Sequence, residues 1–119
     1  MRKTFLFSIV LIFTGLISNA QTQFYSGTSD GSEIKAQITW KADETISGSY
    51  YFVGNSSRSY KLSGTNYIQG EIAVVESFNG RRTGSGTLVK TLTKGRIIWS
   101  GYIYNVDGTQ SYFSLTRIR

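Results

Sequence analysis

From Phe24 onward the apolar residues of this chain recur at every second position, and turn-forming residues interrupt them roughly every 8 to 12 positions. A period of two places alternate side chains on opposite faces of an extended strand, whereas an amphipathic helix needs a period of about 3.6, and no stretch here shows one. The pattern predicts an all-β domain with strands over 22–28, 33–41, 46–53, 58–64, 67–78, 84–92, 96–104 and 110–117. Between them stand Ser29-Asp30-Gly31, Gly54-Asn55, Gly64-Thr65-Asn66, Asn79-Gly80, Lys94-Gly95 and Asp107-Gly108, whose residues tolerate the positive φ of tight turns. Such short links imply an antiparallel meander. With no Pro in the chain, nothing interrupts a hydrogen-bonded ladder from within.

A second pattern indicates curvature. Ile46-Ser-Gly48-Ser-Tyr50, Ile68-Gln-Gly70-Glu-Ile72 and Trp99-Ser-Gly101-Tyr-Ile103 each place a glycine in phase with two apolar residues, and Leu62-Ser-Gly64 is a partial copy. An inward glycine lets a strand coil tightly or a neighbouring backbone approach, so the eight strands are expected to form a small barrel or a strongly curled sheet. Gly64 is the exception, expected at a strand end beside a turn. The predicted inner face comprises Ile34, Ala36, Ile38, Trp40, Ile46, Tyr50, Phe52, Tyr60, Leu62, Ile72, Val74, Phe78, Leu88, Trp99, Ile103, Phe113 and Leu115. The outer face mixes serines and charges with Tyr51, Tyr102, Tyr104 and Tyr112, which is too polar for the lipid-facing band of a membrane barrel.

Ahead of this domain, Arg2-Lys3, an apolar run over 5–17 and Ser18-Asn19-Ala20 have the form of a cleavable signal peptide. The run is short for a membrane span, and no Cys follows it to carry a lipid. The expectation is an exported protein, periplasmic or secreted, with 1–20 removed and 21–119 folded as one domain. Those 99 residues contain no Cys, so packing and not disulfides must stabilise them. Two Trp, eight Tyr and four Phe supply the material, since each buried ring removes about 150–250 Å² from water. Without Arg2 and Lys3 the net charge is +4, from 11 basic and 7 acidic residues. Its basic excess is spread out, with Arg81-Arg82, Lys90, Lys94, Arg96, Arg117 and Arg119 mainly near predicted turns and ends, as a solvated rim or a contact for an acidic partner. No nucleic-acid motif accompanies them.

The chain also lacks His, which together with the missing Cys removes the commonest general base, the thiolate nucleophile and the usual zinc or copper ligands. No Gly-x-Ser-x-Gly elbow or phosphate-binding loop stands in their place. The residues imply no cofactor, no metal and no enzyme. Glu76 is the polar residue of most interest, because Ile72, Val74, Glu76 and Phe78 share a face and a carboxylate therefore falls in an apolar row. Such a group recruits a partner, for which Arg58, Arg82 or a Tyr hydroxyl are candidates, or contacts a ligand at a barrel mouth.

The stretches Gly48-Ser-Tyr50-Tyr51, Tyr60-Lys-Leu62-Ser-Gly64, Gly70-Glu-Ile72-Ala-Val74-Val-Glu76, Trp99-Ser-Gly101 and Phe113-Ser-Leu115 resemble a loose family of small exported bacterial β-proteins of unknown function. That resemblance implies a fold and no activity. The strand cadence is also similar to that of avidin-like and lipocalin-like barrels, without the aromatic residues of a biotin site in matching positions. The function expected is a non-enzymatic binding protein of the cell envelope, with a small apolar or glycan ligand in the barrel mouth or on the Tyr-rich face. Candidate ligand contacts are Glu76, Tyr50, Tyr60 and Trp99. The alternative is an inhibitor or adaptor that docks on another exported protein through Tyr51, Tyr102, Tyr104, Tyr112, Arg81 and Arg82. An enzyme built on Glu76 is a third reading.

Overall fold

In the computed structural model the chain is an eight-stranded antiparallel barrel, β1 (Gln21–Ser29), β2 (Ser32–Trp40), β3 (Thr45–Phe52), β4 (Asn55–Ile68), β5 (Glu71–Phe78), β6 (Arg81–Thr93), β7 (Arg96–Asn105) and β8 (Gln110–Arg117). The structure describes residues 20–68 and 70–119, so the expected signal peptide falls outside it except for Ala20. Each strand pairs with the next in sequence, and β8 returns to β1 with Tyr25 opposite Arg117 and Ser29 opposite Phe113. The meander therefore closes, which leaves no free edge to pair with another chain. Asp30 fastens the seam: its N–H donates to the Tyr112 carbonyl at 2.9 Å, and its Oδ1 accepts the Tyr112 N–H at 2.8 Å.

The inward rows fill the barrel. Ile34, Ile38, Ile72, Leu88, Ile103, Phe113 and Leu115 are fully buried, joined by Ala36, Ile46, Tyr50, Leu62, Val74 and Trp99, while Trp40, Phe52 and Tyr60 pack against them half-buried nearer the ends. Tyr25, outside the expected inner face, is also fully buried. Its row continues through Gly27 and Ser29, so the apolar alternation that marks the other strands is weak there. The exterior carries exposed Gln37, Ser59, Lys61, Ser63 and Thr87 among its apolar residues. Among the described residues no helix is long and apolar enough to cross a membrane.

Inward glycines set the curvature. A Cβ on Gly101 would lie 2.1 Å from the Thr87 carbonyl oxygen, and one on Gly64 1.9 Å from that of Ala73, so the adjacent strands approach too closely for any side chain. Gly64 consequently does not end a strand. The expected turn over 64–66 is instead part of β4, which runs on to Ile68, and the reversal lies at Gly70 with φ of +96°. The tendency of Gly-Thr-Asn to form a turn yields here to the close packing that only a glycine permits.

Candidate functional site

Strand direction gives the barrel two distinct ends. One, the mouth, carries the β1–β2, β3–β4, β5–β6 and β7–β8 turns; the other, the base, carries the remaining turns and the start of β1. In the mouth lies a concave space of about 300 Å³, with Tyr50, Glu76 and Thr83 in its wall, Phe52 and Tyr60 on one side, and Ser29, Asn105 and Ser111 on the other. That volume is at the lower end of small-ligand sites.

Glu76 is 4 % exposed, in the apolar row with Ile72 and Val74. Burial of a carboxylate is unfavourable by several kcal/mol unless donors compensate it. Two do so. Tyr50 donates its hydroxyl proton to Oε2, and Thr83 donates to Oε1 at 2.6 Å. Neither Arg58 nor Arg82 is its partner: Arg82 donates to Ser85 Oγ at 2.9 Å, and the Arg58 guanidinium lies 4.3 Å from the centre of the Phe78 ring. Thr83 comes within reach through a β-bulge. Glu76 is opposite Gly84 and Ser77 opposite Arg82, so Thr83 is the extra residue, turned inward against the simple alternation.

Tyr50 is fixed on its other sides by rings. It stacks on Tyr60 at 5.1 Å and 11°, and meets Phe113 edge-on at 5.2 Å and Phe52 at 5.8 Å. Burial pushes the Tyr50 hydroxyl well above the usual phenol range, and the hydrogen bond to Glu76 and the negative charge there push it further. The phenol therefore stays protonated at all ordinary pH values. On the rim, Asn105 Nδ2 donates to Thr109 Oγ1 at 3.0 Å and Ser111 Oγ at 3.1 Å, while Asp107 is held below the usual carboxylate range by the hydroxyl and backbone N–H of Thr109.

The structure thus brings together three of the four expected ligand contacts, Glu76, Tyr50 and Tyr60. Trp99 is at the base, 5.3 Å from Trp40 between ring centres. The expected Tyr-rich face is divided: Tyr102 and Tyr112 form a cross-strand pair at 5.0 Å with Tyr104 beside them, whereas Tyr51 is on β3, halfway around the barrel. Arg81 and Arg82 lie exposed at the β5–β6 turn on the mouth side. Sequence reasoning missed Thr83, Asn105, Ser29 and Ser111. Asn105 is in phase with Trp99 and Ile103, and Ser111 with Phe113 and Leu115, so the inward phase continued to the strand ends would have found both; the bulge hides Thr83.

Among the described residues no group of three or more Asp or Glu side chains is placed to hold a metal ion. Compared with protein-family models, curated proteins and solved structures, the chain matches none.

Proposed function

We propose that this chain is an exported, non-enzymatic binding protein of the cell envelope and that its barrel mouth takes a small apolar or glycan ligand. The observation that carries this reading is the Glu76 carboxylate, buried in an apolar row at the wall of the mouth. Each of its oxygens accepts one protein donor and keeps acceptor capacity for a hydroxyl or amine of a ligand. A row of aliphatic side chains would have filled the same space without the desolvation penalty. Tyr60 and Phe52 add flat apolar area beside the acid, the combination that suits the faces and edges of a sugar ring or a compact amphipathic molecule.

Native mass spectrometry of the protein isolated from its own envelope tests this. An adduct of small-molecule mass is expected on the wild type and is expected to be lost from Glu76→Gln and Tyr50→Phe. An adduct retained by both variants, or a wild-type protein always bare, would overturn the reading.

The alternative of an adaptor has one observation in its favour, the contiguous exposed group Tyr102, Tyr104 and Tyr112 on β7 and β8. Aromatic residues of this kind supply rigid contact area to protein interfaces. Co-purification of a partner that Tyr102→Ser with Tyr112→Ser abolishes, and that Glu76→Gln leaves intact, is the outcome expected of that reading.

A further inference from the structure

The base of the barrel presents the opposite chemistry to the mouth. A second concavity, of about 280 Å³, opens there, lined by Gln23, Trp40, Lys90, Ile97, Trp99 and Arg117. Lys90 continues the inward phase of Leu88, and Arg117 that of Phe113 and Leu115. Two cations therefore stand where alternation calls for core residues, over the Trp40–Trp99 pair. Neither is matched with an acidic side chain in the way that Lys35 is with Glu33, at 3.9 Å.

The buried polar groups of this end are paired with one exception. Tyr25 donates its hydroxyl proton to Gln23 Oε1 at 2.8 Å. Both indole N–H groups approach the Tyr25 oxygen closely enough to offset part of the rise that burial causes in its pKa, and Arg117 acts in the same direction. Yet Trp40 Nε1 makes no hydrogen bond of acceptable geometry, and it is the one buried side-chain polar atom among the described residues without a partner. A concavity with two cations and an aromatic pair in its wall is complementary to a negative group attached to a flat or apolar body.

We propose that the base of the barrel is a binding site for a small organic carboxylate, with Lys90 and Arg117 holding the carboxylate and the Trp40–Trp99 pair its apolar body. Inorganic phosphate satisfies the charges but leaves the aromatic wall uncovered, so the site prefers the organic acid. The site is separate from the Glu76 mouth and does not depend on the function assigned to it.

With only two tryptophans in the chain, the indole N–H resonances of the purified protein report on the site directly. Benzoate is expected to shift the Trp40 signal saturably, with benzamide and inorganic phosphate far weaker. Lys90→Gln and Arg117→Gln, both at exposed positions that leave the core intact, are each expected to weaken benzoate about tenfold, as for loss of one charge-assisted hydrogen bond. Glu76→Gln is expected to leave benzoate binding unchanged. Decanoate in parallel distinguishes the source: binding tighter than benzoate identifies a fatty acid, and weaker binding identifies a compact aromatic acid, both within the proposed class. Benzamide binding as well as benzoate, benzoate affinity unaltered by both cation variants, or no saturable shift with any carboxylate at millimolar concentration would each overturn the proposal.

Discussion

The Glu76–Tyr50–Thr83 group behaves as one unit, because each hydroxyl satisfies one carboxylate oxygen and nothing else described shares the task. Tyr50→Phe removes one donor from a buried acid and is expected to lower stability at neutral pH by about 1.5–3 kcal/mol in urea unfolding. Its pH profile should also differ. The unfolded chain releases a tyrosine proton near the ordinary value of 10.0, while the folded chain retains those of Tyr50 and Tyr25, whose values are raised. Folding stability from these groups is thus complete below roughly pH 10 and is lost as pH rises beyond it. Without Tyr50 the decline above pH 10 is expected to be shallower; parallel profiles for wild type and variant would contradict the coupling. At this scale the sequence showed an acid in an apolar row and a Tyr hydroxyl among its candidate partners. It could not show Thr83, since in an unbroken strand that residue shares the outward phase with Arg81 and Ser85.

Strand boundaries depended on which glycines turn the chain and which let backbones touch. Gly80 and Gly95 do the first, with φ of +79° and +78° after Asn79 and Lys94, and their dipeptides were legible as turns. Gly64 and Gly101 do the second, and nothing in a local window separates Gly64-Thr65-Asn66 from a true reversal; only the distance to Ala73 across the ladder decides. The two classes should respond differently to an added methyl group. Gly101→Ala forces a Cβ against the Thr87 carbonyl and is expected to destabilise by about 1–3 kcal/mol or more. In a domain of this size that lowers the thermal midpoint by at least about 4 °C. Gly54→Ala, with no atom within 4 Å of the new Cβ, is expected to stay within about 0.5 kcal/mol of wild type. Equal shifts in the two variants would remove the argument for close approach.

The eight-strand meander was legible because alternation persists from β2 through β8, but closure was not. Closure rests on the pairing of β1 with β8, the contact most distant in sequence, and β1 has the weakest apolar pattern of all, with Tyr25, Gly27 and Ser29 facing in. The concavities were hidden for a related reason: alternation fixes which side chains face inward and says nothing about how completely they fill the two ends. In a closed barrel β1 and β8 are held on both sides, so their central amides are expected to exchange with deuterium as slowly as those of β5 and β6. Early exchange confined to β8 would indicate a barrel that opens at this seam. The same seam brings the Phe24 N–H to the Arg119 carbonyl at 2.8 Å, with the Ile118 N–H returning a bond to the Phe24 carbonyl. A short peptide joining the start of β1 to Arg119 would therefore turn the protein into a ring, which could be reopened at Asn79-Gly80 or Lys94-Gly95 with every ladder intact. The order of strands along the chain then becomes a matter of where the ring is cut, and circular permutants of this barrel should adopt one and the same packing.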